Sequence, residues 1–347
     1  MGNGVSDLIL MSLQAILDDG DEVLVPCPDY PLWTAGVTLA GGTAVPYPCD
    51  ESAGWLPDVK AMARAVTPRT RAVVIINPNN PTGALYPASL LGQIAEVARR
   101  ANLTILSDEI YDQVLYDGQT HVATAVLAPD VTCLTFNGLS KAYLLAGYRG
   151  GWLTVTGPRA GTAGTAVLRS RLDVLAGMRL GANVPGQLAV EVALSGEHGV
   201  RGLVLPGGRL CAQRDAAHEA LTSVPGVTCV RPQAGLYAFP KLDRSVWGVE
   251  DDASLVFDVL VRRGVLLSPG SSFNWPGNNH LRVVTLATET ELRWAAEQLR
   301  IHVAERRRGG SLSPRRRAGS NSQDLWMKIF RRLLVGGGRR VVPRACR

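Results

Sequence analysis

The sequence predicts an α/β protein with a largely parallel central sheet, and three observations predict it. Short apolar segments alternate with helical patterns from Glu22 to Phe136, which is the rhythm that lays parallel strands side by side. The run Arg71 to Ile76 is apolar after its arginine, with no polar alternation, as a strand buried on both faces requires. Polar clusters then follow the ends of the strands, where sheets of this kind gather their functional groups.

Taken in order, the chain opens on Gly2-Asn3-Gly4-Val5-Ser6-Asp7, immediately before the helical pattern Leu8, Leu10, Met11, Leu13, Ile16 and Leu17. A Gly-rich turn feeding a helix N-terminus leaves backbone N–H groups and the positive end of the helix dipole free for an anion. A simple N-cap by Ser6 is the alternative. Strands are expected at Glu22–Val25, Thr43–Tyr47, Arg71–Ile76, Leu103–Leu106 and Val131–Phe136, with a helix after Pro31 and another from Pro87 to Arg100. In the second helix proline stands at the start, and Leu91, Ile94, Ala95 and Ala98 share one face.

From about residue 157 the helical stretches lengthen, ending with Pro206–Ser223. Short strands at Val227–Val230 and Leu236–Phe239, a helix near Ala253–Arg263, a strand pair Val265–Leu267 and Leu281–Leu286, and a last helix Thr288–Ala304 describe a smaller α+β domain. The domain reading is a large domain over residues 1–182, a small one over 183–305 and a basic low-complexity tail over 306–347.

Charge separates the tail from the rest. The 347-residue chain has a formal net charge of +6, yet residues 306–347 hold 12 Arg and Lys328 against Asp324, for +12, and the remainder is −6. An acidic body gives no electrostatic reason for binding nucleic acid. The tail begins RRRGGSLSPRRRAGSNS, a composition that does not build a core. Further on, Trp326, Ile329, Phe330 and Leu333 fall at helical spacing among basic residues, which fits either a membrane-surface or acidic-partner helix or a solvated tail. No apolar run reaches the roughly 18 residues of a membrane span, and the start lacks the features of a signal peptide. The chain is read as cytoplasmic. Six cysteines, Cys27, Cys49, Cys133, Cys211, Cys229 and Cys346, show no metal-site spacing, so no metal is expected.

Three strand-end clusters carry the chemistry. Asn77-Pro78-Asn79-Asn80-Pro81-Thr82-Gly83 follows the buried strand and forces a tight turn that can hold the Asn80 side chain in place, or serves as a turn only. Ser107-Asp108-Glu109-Ile110-Tyr111 puts an acid at the end of another buried strand. There it needs a cation or strong donor, unless it caps the next helix. The third cluster is FNGLSKAYLLAGYRGGW, Phe136 to Trp152, centred on Lys141 and Arg149. It places a reactive amine on a loop leaving a sheet edge, or is a surface turn with ordinary basic residues. An amine, a carboxylate, an amide, a phenol and an anion-binding turn together suit a phosphorylated pyridine aldehyde.

With those residues in view the chain resembles the class I and II pyridoxal phosphate-dependent aminotransferases of fold type I, of the bacterial alanine aminotransferase kind. The matching words include GNGVSDLI, VPCPDYPLW, IINPNNPTGA, SDEIYD, FNGLSKAY, AGYRGGW, ANVPGQ, AGLYAFP and FNWPGNNHLRVVTL, spread in order over about residues 1–306. The resemblance implies that Lys141 is the Schiff-base lysine and proton shuttle, that Asp108 pairs with the pyridine nitrogen, and that Tyr30 stacks on the ring. It implies that Asn80 and Tyr111 contact the ring oxygen, that Val5, Ser6 and Arg149 hold the phosphate, with Ser140 a possible further contact, and that Arg282 clamps the substrate carboxylate with Asn80 nearby.

The activity implied is ping-pong transfer of the amino group of an L-amino acid, alanine above others, to 2-oxoglutarate by a homodimer. Three alternatives stand beside it: a cofactor-binding but inactive chain, a related enzyme with another donor or with β-elimination activity, and a tail that anchors to nucleic acid or membrane. The resemblance also marks departures. Relatives often carry a hydroxyl residue three places before the lysine, where this chain has Gly138. The chain is read as an N-terminally truncated member whose tail lies outside the family pattern.

Overall fold

The computed structural model describes residues 1–158, 163–196 and 199–308. Its compact unit runs from Met1 to Glu305. The Trp326–Leu333 pattern lies outside the described residues.

An eight-stranded sheet organises this unit. Its strands are β1 (Gly2–Asn3), β2 (Glu22–Cys27), β3 (Thr43–Asp50), β4 (Leu56–Pro57), β5 (Thr70–Ile76), β6 (Thr104–Asp108), β7 (Cys133–Gly138) and β8 (Gly150–Thr156), in the order β1-β8-β7-β6-β5-β2-β3-β4. The pairs from β3 through β7 are parallel, whereas β4, β8 and β1 pair antiparallel. Between the strands lie α1 (Val5–Ile16), α2 (Leu32–Leu39), α3 (Val59–Arg64), α4 (Ala88–Ala101), α5 (Thr124–Leu127) and α6 (Leu139–Ala142).

Both faces of the sheet are covered, and β5 shows why its sequence has no polar alternation. Val73 and Ile75 face one core with Leu91, Ile94, Ala95 and Ala98 of α4. Ala72, Val74 and Ile76 face the other with Leu8, Ile9 and Leu13 of α1. Each large side chain so buried contributes roughly 1.5–3 kcal/mol. Helix α7 (Ala163–Met178) adds Leu168 and Leu172 to the second core.

Beyond it come α8 (Val184–Ser195), α9 (Arg201–Val204), α10 (Arg209–Thr222), β9 (Val227–Thr228), β10 (Tyr237–Ala238), β11 (Lys241–Leu242), α11 (Arg244–Trp247), α12 (Asp252–Arg263), β12 (Ser268–Pro269), β13 (Leu281–Val284) and α13 (Glu289–Arg308). A separate core joins α10, α12, β13 and α13 through Leu221, Val256, Val259, Leu281 and Leu299. Among the described residues no helix is long and apolar enough to cross a membrane.

Three expectations are corrected. The α1 N-cap is Gly4, with Ser6 inside the first turn. Lys141 sits on the one-turn helix α6 rather than a loop, and β7 before it is an interior strand. The segment Val265–Leu267 is not a strand: Val265 and Leu267 are buried and Leu266 is exposed, so it alternates like one, but the ladder to β13 begins at Ser268.

Candidate active site

The carboxyl ends of the parallel strands converge on one side of the sheet, and the candidate residues follow from them. After β5, Asn77 Oδ1 accepts the Tyr86 N–H at 2.8 Å and Asn79 Oδ1 accepts the Thr82 hydroxyl at 2.8 Å. These bonds fix the turn, and Asn80 next to them is 6% exposed. The turn alternative for this segment therefore holds for Asn77 and Asn79, while the Asn80 oxygen is left for a distant partner.

Asp108 ends β6 and is 3% exposed. Its Oδ2 accepts the indole N–H of Trp33 at 3.2 Å and its Oδ1 the Ile110 N–H at 3.4 Å. Burial pushes its pKa up to about 6, against the lowering effect of these two donors and of the nearby Lys141 charge. Among the described residues this buried carboxylate, held by two neutral donors, has no bonded cation, and it does not cap a helix.

Lys141 Nζ lies over the Tyr111 ring, 5.8 Å from its centroid. Tyr111 is 2% exposed and donates its hydroxyl to that of Tyr237 at 3.0 Å. Burial, with Tyr237 adding to it, holds the Tyr111 hydroxyl well above the ordinary phenol range. Arg282, on β13, is enclosed by aromatic rings: its guanidinium carbon is 4.4 Å from the centroids of both Tyr237 and Phe273. Its Nη1 donates to Asn80 Oδ1 at 3.3 Å and its Nη2 to Ser268 Oγ at 3.5 Å, while its buried Nε has no partner. Among the described residues no carboxylate pairs with this guanidinium.

Arg149 and the start of α1 form a second group. The β1–β8 pairing sets Gly2 against Gly151 and Asn3 against Gly150, which brings the helix start beside Arg149. Gly4 has φ +81°, and a Cβ there would lie 2.3 Å from Arg149 Nη2. Arg149 donates to the carbonyls of Ala146 at 3.0 Å and Asn3 at 3.3 Å. Val5 and Ser6 supply the first-turn N–H groups.

The structure thus brings Lys141, Tyr111, Asn80 and Arg282 into one chain of contacts, with Asp108 next to it and Arg149, Val5 and Ser6 beside the helix start. Tyr30 lies just ahead of α2, packed against the same core as Trp33. Ser140 stands next to Lys141 on α6. Sequence reasoning missed Trp33, Tyr237, Phe273 and Ser268. Trp33 and Tyr237 stood inside the words VPCPDYPLW and AGLYAFP, and their contacts became visible only in three dimensions.

The sheet, covered by helices on both faces and carrying its polar residues at the strand ends, is an α/β fold with the layout of a ligand-binding site. Residues 1–299 match the sequence profile of the family Aminotransferase class I and II, and the chain belongs to that family. It is 53% identical over 299 residues to an alanine aminotransferase of Mycobacterium tuberculosis (strain ATCC 25618 / H37Rv), covering 86% of this chain and 69% of the relative. It is 51% identical over 286 residues to the glutamate-pyruvate aminotransferase AlaA of Escherichia coli (strain K12), covering 82% and 70%. A crystal structure of an aminotransferase from Escherichia coli superposes with a TM-score of 0.85 at 48% identity, covering 87% of this chain and 74% of that one.

Aminotransferases of this family use pyridoxal phosphate and act on small-molecule substrates, amino acids and oxo acids. The residues present fit that cofactor. Among the described residues Asp108 is a buried acid without a bonded cation, suited to a pyridinium nitrogen, and Arg149 is a guanidinium whose hydrogen bonds go to carbonyls, suited to a phosphate.

Proposed function

We propose that the chain transfers the amino group of L-alanine to 2-oxoglutarate, working as a homodimer. The observation that carries this reading is the continuous contact chain from Lys141 through Tyr111 and Tyr237 to Arg282 and Asn80, which links a primary amine to a guanidinium that has no carboxylate partner among the described residues. The names of the relatives support the choice of alanine.

When bound, the cofactor supplies an electrophilic carbon and withdraws electrons from the substrate α-carbon. The remaining tasks fall to the protein. Arg282 receives the substrate α-carboxylate through paired N–H donors, and its aromatic enclosure holds the fork in place. That contact orients the α-C–H bond toward Lys141, whose Nζ takes the α-proton and returns it on the far side of the transfer. Asp108 holds a proton on the ring nitrogen through its charge. Tyr111 and Asn80 donate to the ring oxygen, Tyr30 covers the ring face, and Arg149 with the N–H groups of Val5 and Ser6 holds the phosphate, with Ser140 as a further donor.

The test uses the full chain supplied with pyridoxal phosphate, L-alanine and 2-oxoglutarate, with pyruvate release as the readout. Turnover is expected, with Lys141→Ala lowering it at least about a thousandfold. Cofactor uptake without pyruvate formation would leave a binding protein and overturn the reading, as would a Lys141→Ala chain as active as the parent. Release of ammonia in place of amino transfer would move the assignment to elimination chemistry.

A further inference from the structure

We propose that Tyr237 is a positioning residue that couples the carboxylate clamp to the phenol of Tyr111. The inference rests on the roles proposed above for Arg282 and Tyr111. Its origin is strand register. Tyr237 on β10 pairs with Val284 on the antiparallel strand β13. Arg282 stands two residues before Val284 and so shares a face with it, which makes Tyr237 and Arg282 diagonal neighbours on that face. The Tyr237 ring is 4.4 Å from the Arg282 guanidinium carbon, and Phe273 holds the other contact at 4.4 Å. The same Tyr237 reaches Tyr111 through its hydroxyl at 3.0 Å, with the two rings edge to face and 5.9 Å between centroids.

One side chain therefore does two separable things. Its ring confines the guanidinium that receives a carboxylate, and a desolvated cation–ring contact is a substantial fraction of such a clamp's stability. Its hydroxyl is the only hydrogen-bond partner that the Tyr111 hydroxyl has among the described residues. When Tyr111 donates to an oxygen of the bound ring, its lone pair turns to Tyr237, which then becomes the donor. A hydroxyl that accepts in this way is a stronger donor itself. The hydroxyl of Tyr237 thus acts on the ring oxygen at one remove, and its ring acts on the substrate carboxylate.

The experiment separates the two halves with the holoenzyme and 2-methylalanine, an amino acid that carries the α-carboxylate but no α-proton. Its dissociation constant is read from the visible absorbance of the bound cofactor, and the midpoint of that absorbance is titrated with pH in the absence of ligand. Tyr237→Phe keeps the ring. It is expected to bind 2-methylalanine within about twofold of the parent and to raise the midpoint by about half a pH unit, because a weakened donor stabilises the deprotonated ring oxygen less. Tyr237→Leu removes the ring and is expected to weaken 2-methylalanine about tenfold, with KM for alanine rising in step and kcat falling less.

Arg282→Lys and Tyr111→Phe, measured beside them, test the reading underneath. A Tyr237→Leu chain that binds the probe like the parent, while Arg282→Lys binds it poorly, overturns the inference and leaves the clamp. An unmoved midpoint in Tyr237→Phe, with Tyr111→Phe shifted, overturns the coupling to the phenol. If Arg282→Lys or Tyr111→Phe is itself without effect, the roles assigned to those residues fail instead. Tyr237→Phe changes one atom of a half-buried side chain, so it stays informative if the leucine variant does not fold.

Discussion

The indole N–H of Trp33 donates to Asp108 Oδ2 at 3.2 Å, a neutral donor serving a carboxylate that is 3% exposed. The bond lowers the cost of charge on Asp108 but does not remove it, and burial still carries the pKa from 3.8 to about 6.

That shift gives the cofactor-free chain a pH-dependent penalty. Between the pKa of the unfolded carboxylate and about 6 the folded chain binds more protons than the unfolded one. Stability therefore falls as pH rises through that window and stays lowered above it, by an amount of the order of 2–3 kcal/mol. Asp108→Asn is expected to raise the denaturant midpoint of the cofactor-free chain at pH 8, to change it little near pH 4, and to abolish amino transfer. Urea unfolding at the two pH values measures this, and an equal gain at both would show that charge is not the cause.

Gly138, three residues before Lys141, carries no side chain, and the sheet explains why. Antiparallel pairing sets Gly138 against Gly151, and a Cβ at Gly138 would lie 2.7 Å from the Gly150 carbonyl oxygen and 3.1 Å from the Gly151 Cα. The backbone there is extended, so the obstacle is contact and not conformation. Gly138→Ser is expected to lose about 1–3 kcal/mol by forcing β8 away from β7. It is not expected to tighten cofactor binding, since the same movement shifts Arg149 at the head of β8. Thermal unfolding and cofactor titration of the variant check both statements.

Gly4 is constrained from two sides. Its φ of +81° disfavours any side chain, and its Cβ would meet Arg149 Nη2 at 2.3 Å. Gly4→Ala is expected to cost about 1–2 kcal/mol in backbone strain and to displace the guanidinium. Equilibrium dialysis against pyridoxal phosphate should show affinity about tenfold lower, with binding of pyridoxal, which lacks the phosphate, nearly unchanged. Equal losses for the two compounds would place the phosphate elsewhere.

What the sequence made legible was local. Leu91, Ile94, Ala95 and Ala98 read as one helical face because a period of 3.6 residues is written in about two consecutive turns of chain, and β5 read as buried because five apolar residues in a row leave no solvent face. The strand β8 was missed although Trp152 to Thr156 carry strand preference, because Gly150-Gly151 at its head reads as a turn and its place is set by pairing with β7. The contacts of the site were hidden for the same reason. Trp33 and Asp108 are 75 residues apart, Tyr111 and Tyr237 are 126 apart, and Asn80 and Arg282 are 202 apart. Residue type and motif marked most of these positions, but the partner that gives each one its electrostatic state comes from the fold.

Trp33 offers the sharpest test of how Asp108 is tuned. The indole packs edge to face on Phe136 at 5.3 Å and is fully buried, so Trp33→Phe keeps an aromatic ring in the core while removing the N–H. Among the causes acting on Asp108 the Trp33 bond is the largest that lowers its pKa, so its loss moves that pKa above 6. A cofactor whose ring nitrogen is cationic binds the ionised carboxylate, so affinity weakens as pH falls through the Asp108 pKa. In the parent that decline is expected as pH drops through about 6. In Trp33→Phe the decline begins at higher pH, so that the two proteins converge in the alkaline range and differ by their full factor once pH is below about 6. Cofactor dissociation constants measured from pH 5 to 9 trace both curves, and parallel curves offset by the same factor throughout would mean that Trp33 acts by packing and not through the charge on Asp108.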